Sequence, residues 1–292
     1  MDNPGPRPIV RPMTRESDIL IVGGGLNGAA LALACAQAGI SSIVLDRLGT
    51  DTRADPAFDG RSYALALASR RMLGALGLWE ELAPNAQPIL EIKASDGRPG
   101  EGAAPFFLHF DHAEIEEGPM GHMVEDRFLR RALLSAMAAA PLIEHRPAET
   151  VVAQSTGRGA EVTLASGARL RAGLLVGADG KDSGTASRAG IARTGRDYGQ
   201  TALVCAVAHE RPHHGVAHQF FMPGGPLAIL PLTGDRSSIV WSERRALAEE
   251  IAALDDAAFL EALKPRFGSF LGNISLAGIR YAYPLKLSLA QR

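Results

Sequence analysis

The sequence lacks several features that would direct it to nucleic acid, to a membrane interior or to an oxidising compartment. It has only two cysteines, Cys35 and Cys205, each within an apolar run, which favours structural thiols over a disulfide. Its 30 basic and 32 acidic side chains leave a net charge of −2, so we predict no nucleic-acid partner and no strongly basic membrane patch. Apolar runs of transmembrane length are also missing. We therefore expect a cytoplasmic chain without a spanning helix.

The first 16 residues hold four prolines and no long apolar core. This composition predicts a disordered tail rather than a signal peptide.

Residues 18–46, by contrast, contain a dense glycine motif. Buried-strand residues 19–22 lead into Gly23, Gly25 and Gly28, which have the G-x-G-x-x-G spacing, and a small-residue helix follows. The first glycine is expected to make a tight turn, the second to let a pyrophosphate approach, and the third to pack helix against strand. A second strand ends at Asp46, 18 residues past Gly28, where a carboxylate can bind a ribose diol. We predict a dinucleotide site, with a purely structural βαβ unit as the alternative.

The rest of the chain alternates between helical and strand periodicity. Apolar spacing predicts helices at 65–76, with its apolar face at Leu65, Ala68, Met72 and Leu76, at 125–140 and within 245–263. Period-two patterns predict a β-meander over 149–176 and strands at 89–92, 106–110, 201–207, 219–222, 228–232 and 238–241. The fold class is α/β: a Rossmann-like domain with an inserted β-meander, plus a mixed-sheet domain.

A second motif, G-A-D-G at 177–180, follows the predicted strand Leu174–Val176. Because ligands of open α/β sheets gather at the carboxyl ends of strands, Asp179 and Gly180 are candidate ligand contacts. An ordinary tight turn is the alternative, since Asp and Gly are preferred turn residues.

The two motifs together resemble those of FAD-dependent aromatic hydroxylases, the para-hydroxybenzoate-hydroxylase-like flavoprotein monooxygenases. The closest likeness is to the polyprenyl-phenol hydroxylases of ubiquinone biosynthesis, and it runs from about residue 17 to the end. It is carried further by the stretches D-G-R-S-Y-A-L-A-L-A-S (59–69), D-Y-G-Q-T-A-L-V (197–204), H-E-R-P-H (209–213), G-P-L-A-I-L-P-L (225–232) and S-I-V-W-S (238–242).

The resemblance implies a division of the chain and further cofactor contacts. Residues 17–80 and 121–190 would form the FAD-binding domain, 81–120 and 191–285 the substrate domain, and 286–292 the start of a return to the FAD domain. Gly23, Gly25, Gly28 and Asp46 would bind the ADP half. Arg61 would contact the flavin or pyrophosphate unless it is an ordinary surface arginine, and Asp179 and Gly180 would border the phosphates, with Asp179 also orienting Arg61. Asp126 would contact the flavin or cap a helix.

Two departures from the family pattern stand out. The family's D-G-x-x-S-x-x-R has Ala186 at the arginine position, with Arg188 two residues later, and the third family motif, a G-D segment, is absent before the end at Arg292. The resemblance then suggests that the sequence is either an N-terminal fragment of a longer FAD protein or a truncated gene product.

Two further residue sets allow competing interpretations. His209, His213, His214 and His218 include no cysteine or carboxylate partner and match no common zinc pattern, so no metal site is predicted. Phe220, Phe221, Leu230 and Trp241 are candidates either for a ring-binding pocket or for plain core.

By resemblance, the reaction is hydroxylation of an apolar aromatic ring, in particular a polyprenyl phenol, with FAD, NAD(P)H and O2 through a flavin C4a-hydroperoxide. No catalytic base is identified. Peripheral membrane or enzyme-complex association would suit such a substrate. The alternatives are an FAD-dependent reductase or dehydrogenase of the same fold, and a non-catalytic FAD-binding or assembly protein.

Overall fold

A computed structural model describes residues 16–56, 60–114 and 117–291. The predicted disordered tail therefore lies outside the described residues except for Glu16. The strands are β1 (Ser17–Val22), β2 (Ser42–Leu45), β3 (Ser62–Ala66), β4 (Ala86–Ile89), β5 (Glu91–Arg98), β6 (Gly102–Asp111), β7 (Gly121–Glu125), β8 (Ile143–Arg146), β9 (Val151–Thr156), β10 (Ala160–Leu164), β11 (Arg169–Gly177), β12 (Arg193–His209), β13 (Val216–Met222), β14 (Gly225–Leu232), β15 (Arg236–Arg244), β16 (Ile274–Leu276) and β17 (Tyr281–Ala290). The helices are α1 (Leu26–Gln37), α2 (Thr50–Ala54), α3 (Leu67–Ala75), α4 (Trp79–Leu82), α5 (Asp126–Ala139), α6 (Gly184–Arg188), α7 (Arg245–Ala252) and α8 (Asp256–Phe267).

The described residues fall into two compact units. Unit 1 contains the residues before 51 and 137–190, and unit 2 contains 51–136 and those from 191 onward. Residues 51–80 and 121–136, which we predicted to belong to the FAD-binding part, thus lie in unit 2. The physical reason is that β3 and β7 pair with β4 in a separate three-stranded sheet, and this sheet shares a core with the large sheet of unit 2.

Unit 1 is built on a six-stranded sheet with the order β8-β2-β1-β11-β10-β9. Strands β8, β2, β1 and β11 are parallel, and β9, β10 and β11 form the predicted antiparallel meander. Helix α1 packs on β1, β2 and β8 through buried Ala29, Ala32 and Leu33, as expected for a βαβ crossover. The predicted Rossmann-like sheet with an inserted meander is confirmed.

Unit 2 contains an eight-stranded mixed sheet, in which β17, β12, β15, β14, β13, β5 and β6 follow one another and β16 also pairs with β12. The predicted strands at 106–110, 201–207, 219–222, 228–232 and 238–241 are confirmed and are longer than expected, whereas the strand predicted at 89–92 is wrong, because Leu90 separates the end of β4 from the start of β5. The predicted helical stretch is two helices, because Asp255 ends the first segment and caps α8 by accepting a hydrogen bond from the Ala258 N–H at 2.8 Å.

One face of this large sheet is covered by α7 and α8. Leu203, Cys205, Leu227 and Trp241 point to that face and pack against helix residues that include Phe259. Their neighbours along the strands point the opposite way because side chains alternate across a sheet. Part of this second surface is covered by the three-stranded sheet, whose Ile89 and Met123 pack with Ala206 and Ala217. We call the uncovered remainder the open face; its centre, Val204, Val240 and Ala228, is half-buried.

The helix predicted at 65–76 differs from the observed structure. Leu65 lies in β3, opposite His122 of β7, and the helix starts at Leu67. The pairing with a strand far along the chain overrides the local helical pattern. The buried side chain of α3 is Leu73, whereas Met72, predicted on the apolar face, is 48% exposed.

Candidate functional site: a glycine cradle in unit 1

Gly23 turns the chain sharply at the end of β1. Its φ is +110°, and a Cβ at this position would lie 2.3 Å from the Ala178 carbonyl oxygen. Its N–H donates to the Leu45 carbonyl at 2.7 Å. Both the backbone conformation and the close approach of the second motif therefore require glycine here.

Gly25 and Gly28 differ in the space around them. A Cβ on Gly28 would lie 1.9 Å from the Gly23 carbonyl oxygen, so α1 approaches the turn as closely as backbone allows. A Cβ on Gly25 would meet no described atom within 4 Å. The absence of a side chain at Gly25 has no packing reason within the described chain, and it leaves room for a ligand against the backbone.

Helix α1 begins directly after Gly25. The first N–H groups of a helix have no partner within it and carry a partial positive charge. The first turn, Leu26, Asn27 and Gly28, contains no acidic residue that would compete with an anionic ligand. Backbone donors and open space thus coincide at Gly25, which is the arrangement that binds a pyrophosphate.

Asp46 follows β2, as predicted, and lies against this turn. A Cβ on Gly24 would be 2.6 Å from Asp46 Oδ2, and the Leu48 N–H donates to Oδ1 at 3.0 Å. The residue is only 1% exposed. Its carboxylate therefore supports the loop beside the turn, and binding of a ribose by Asp46 stays a prediction.

The second motif lies beside the first although about 150 residues separate them. Strands β1 and β11 are parallel neighbours with Val22 opposite Gly177, and the Ala178 N–H donates to the Val22 carbonyl at 2.7 Å. Gly180 has φ +87° and no described atom near its missing Cβ. We call the surface formed by Gly23, Gly25, Gly180 and the start of α1 the glycine cradle.

Asp179 is used within its own loop. The Ser183 hydroxyl donates to Oδ1, and the Thr185 N–H and hydroxyl both donate to Oδ2 at 3.0 Å. Partial burial alone would raise the pKa of this carboxyl, but these hydrogen bonds outweigh it and hold the pKa below its usual value. Asp179 therefore fixes the turn into α6 and keeps the backbone around Gly180 in place.

The arginine displaced from the family pattern also has a local partner. Arg188 Nε donates to Gln154 Oε1 at 3.1 Å, and its guanidinium lies beside Gly184, where a Cβ would be 2.9 Å from Nη1. In this conformation Arg188 ties α6 to β9.

Arg61 and Asp126 lie together in unit 2. Arg61 Nη2 is 3.1 Å from Asp126 Oδ2, and Arg130 Nε is 2.6 Å from the same oxygen. The Tyr63 hydroxyl donates to Oδ1 at 3.0 Å. The Asp126 side chain is 3% exposed and that of Arg61 is 45% exposed. Asp126 is thus a carboxylate partner of Arg61 that the sequence did not predict, and orientation of Arg61 by Asp179 stays a prediction. A cofactor contact by Arg61 or Asp126 stays a prediction.

The histidine group is held by protein contacts. His209 bonds the Arg211 carbonyl at 2.8 Å and the Ser237 hydroxyl at 3.0 Å, and His213 bonds the Leu232 carbonyl at 2.8 Å. Burial lowers the pKa of His218 to about 4 beside the ring of Phe270. No group of three or more metal-ligating side chains occurs within residues 16–56, 60–114 and 117–291.

The candidate pocket residues divide between the two faces of the large sheet. Phe220 and Trp241 belong to the core under α7 and α8. Phe221, 55% exposed, points to the opposite face, and so does Leu230, which packs against the core shared with the three-stranded sheet. Burial raises the pKa of the Cys205 thiol to about 12, and both cysteines are unpaired thiols.

Sequence reasoning missed several residues that shape these surfaces. Gly24 makes room for Asp46, Thr185 holds Asp179, and Tyr63 and Arg130 complete the cluster around Asp126. A signal for Gly24 was present, because it is the middle glycine of G-G-G. The partners of Asp126 depend on β3 and α5 meeting, which no local pattern indicates.

Comparison with known proteins also indicates an FAD-binding protein. The family model described as FAD binding domain matches residues 16–274. The ubiquinone hydroxylase UbiL of Rhodospirillum rubrum is 42% identical over 286 residues, which are 98% of this chain and 65% of that protein. The 3-demethoxyubiquinol 3-hydroxylase of Escherichia coli is 31% identical over 90% of this chain and 67% of its own length.

A solved structure shares the fold. The p-nitrophenol 4-monooxygenase PnpA of Pseudomonas putida superposes with a TM-score of 0.73 at 18% identity, covering 95% of this chain and 70% of its own. The chain thus spans about two thirds of the length of the proteins that it resembles.

Proposed function

The chain belongs to the FAD binding domain family, and from this premise we propose that it takes part in FAD-dependent hydroxylation of an aromatic ring. The substrate that we propose is a polyprenyl phenol of ubiquinone biosynthesis. The names of the Rhodospirillum and Escherichia relatives, both ubiquinone-type hydroxylases, support this substrate class. The observation that carries the proposal is the glycine cradle, where Gly23 and Gly28 are required by packing but Gly25 is not.

The cradle residues fit the ADP part of FAD. The open position at Gly25 admits the pyrophosphate, and the N–H groups at the start of α1 donate to it. Gly180 is held in place by the Asp179 loop, and its missing side chain leaves a second position where a ligand can approach the backbone. Asp46 would contribute a ribose contact after a small movement of its loop.

FAD, when bound, supplies the oxygen activation needed for ring hydroxylation, with NAD(P)H as reductant and O2 as co-substrate. The chain itself would then have to position the ring and exclude water. The open face of unit 2, with half-buried Val204, Val240 and Ala228 at its centre, offers an apolar surface for the substrate.

We also propose that the chain works in the cytoplasm at a membrane surface or in an enzyme complex, because its substrate would be a lipid. None of the helices formed by the described residues is long and apolar enough to cross a bilayer. The edge strand β6 exposes Phe106 (90%), Leu108 (64%) and Phe110 (47%), an apolar surface that suits peripheral contact.

Two measurements on the purified chain test this function. Visible flavin absorption after addition of FAD should show one FAD per chain, and Gly25→Ala should weaken FAD binding while leaving the circular dichroism spectrum unchanged. Incubation with a prenylated phenol, NAD(P)H and 18O2 should place one labelled oxygen atom on the ring.

Other results would favour the competing functions. Substrate oxidation without label in the product would indicate a reductase or dehydrogenase of the same fold. Absence of FAD binding would favour a non-catalytic assembly role and would contradict our proposal.

A further inference from the structure

A single row of side chains crosses the open face from one edge to the other. Its members lie directly opposite one another on β17, β12, β15, β14, β13, β5 and β6 in turn. In that order they are Tyr281, Val204, Val240, Ala228, Gln219, Ala94 and Leu108. We call this set the open row.

The open row is largely apolar, with Gln219 as its one amide, and most of its middle members are small. Val204, Val240, Ala228 and Ala94 are small hydrocarbon side chains, and each is half-buried rather than covered. None of the row's side chains is charged. Directly opposed residues lie about 4.8 Å apart, so six steps extend over roughly 29 Å. Such a strip of exposed hydrocarbon in a folded protein marks a binding surface.

Larger side chains border this floor. On one side Phe110 is 47% exposed, and on the other Phe221 and Tyr283 are 55% and 40% exposed. Phe110 follows the row residue Leu108 by two positions on β6, Phe221 follows Gln219 on β13, and Tyr283 follows Tyr281 on β17. The row therefore lies in a shallow trough, bordered by these three aromatic side chains and, on the Phe110 side, by the three-stranded sheet that packs over Ala206 and Ala217.

The two ends of the trough differ chemically. At the Tyr281 end, a Cβ on Gly60 would lie 3.4 Å from the Tyr281 ring, and the next residue is Arg61, paired with buried Asp126. This end is aromatic and polar. At the other end Leu108 lies on the outermost described strand, 64% exposed, near the 90% exposed Phe106. This end is apolar and open.

We propose that the open row binds the polyprenyl chain of the substrate, with the phenol ring at Tyr281 and the tail leaving over Leu108. This inference rests on the proposed function, since a polyprenyl phenol has the same order of parts: a polar aromatic head and a long apolar tail. The tail crosses β12, β15, β14 and β5 along the small side chains of the row, passes Gln219 on β13, and leaves at the exposed edge strand β6.

The asymmetry of the trough argues for this occupant over a second copy of the chain. A two-fold dimer places the same patch against itself, so both ends of each patch contribute alike. A polar end beside Arg61 and an apolar end at Leu108 are unnecessary for such a contact. For a prenylated phenol they set the direction of binding.

Photolabelling tests the direction and the path. Phenols with two, four and six isoprene units and a terminal diazirine are added to the full chain in mild detergent, irradiated, and mapped by peptide mass spectrometry. We expect the label to move from β15 and β14 with the shortest tail to β5 and β6 with the longest. Labelling that stays in one place, or moves in the opposite order, would overturn the proposal.

Binding measurements with variants distinguish binding along the open row from a general effect of substitution. Ala228→Glu places a charge on the floor and should weaken binding of the four-unit phenol at least tenfold. The matched control, Ala246→Glu on the exposed side of α7, should leave it unchanged. Leu108→Ser should weaken the six-unit phenol about threefold and leave the two-unit phenol unchanged.

The results also distinguish this inference from the proposed function. If the chain hydroxylates prenylated phenols but tail length and Ala228→Glu have no effect on binding, the open row is not the tail site and the proposed function stands. If the tail binds along the row but no labelled oxygen enters the ring, the hydroxylase proposal fails. A concentration-dependent dimer that is lost in Leu108→Ser, with no tail effect, would assign the surface to a second copy.

Discussion

The glycine cradle of unit 1 and the open face of unit 2 are both uncovered surfaces, and they differ in what makes them open. At the cradle, side chains are missing: Gly25 and Gly180 leave space against the backbone. At the centre of the open face, side chains are present but only partly covered, as the neighbours Trp241, fully buried, and Val240, half-buried, show. The first surface suits a charged ligand bound by N–H groups, and the second suits a hydrocarbon.

This difference has consequences for substitution. Added volume disturbs the cradle wherever backbone is already in contact, whereas loss of volume at the half-buried centre of the open face costs less than in the core. Polar contacts are expected to contribute to stability at the cradle and at the Tyr281 end of the open face, but not at its centre. The following predictions test each of these statements.

The largest effect is expected at Asp126, beside the polar end of the open face. Asp126→Ala removes the partner of Arg61 and of Arg130, whose side chain is 11% exposed, and should destabilise the chain by about 3 kcal/mol. Urea unfolding measures this. Tyr63→Phe removes only the hydroxyl donor to Oδ1 and should cost about 1 kcal/mol. Equal losses for the two variants would show that the ion pairs contribute nothing.

The two faces of the large sheet are compared most directly on β12. Leu203→Ala empties a site in the core under α7 and α8 and should cost about 3 kcal/mol. Val204→Ala, one residue along, changes the half-buried open face and should cost less than about 1 kcal/mol. The midpoint of thermal or urea unfolding gives both values. A large loss for Val204→Ala would mean that the face is covered in solution, which contradicts its openness.

The sequence predicted the cradle better than the open face, for a physical reason. The roles of Gly23, Gly25 and Gly28 follow from a strand, a turn and a helix that are adjacent in the chain. The open row joins Gln219 to Ala94 and Val204 to Tyr281, pairs that only the strand order brings together. Leu65 is another residue whose conformation depends on a distant partner: the local pattern predicts a helix, but pairing with His122 places it in a strand.

The cradle itself offers a matched pair of glycines. Gly28→Ala would bring a Cβ within 1.9 Å of the Gly23 carbonyl oxygen and should cost about 2 kcal/mol through overpacking. Gly25→Ala meets no described atom within 4 Å and should leave the unfolding midpoint unchanged within about 0.5 kcal/mol. FAD affinity should fall for Gly25→Ala by tenfold or more. Unchanged FAD affinity there would show that the cofactor does not approach this backbone.

The smallest effect is a pH dependence at Asp179, which connects the cradle to α6. Its pKa lies below the ordinary value because Ser183 and Thr185 donate to the charged carboxylate. The stabilisation is therefore complete above the unfolded-state pKa of about 3.9, and it is lost as the pH falls through the lower folded-state value. Asp179→Asn cannot titrate, so the difference in unfolding free energy between wild type and variant should shrink as the pH falls below about 4. Urea midpoints measured for both proteins from neutral pH to pH 3 give this difference. If it stays constant over that range, the carboxylate charge does not hold the turn, and the cradle would depend on its glycines alone.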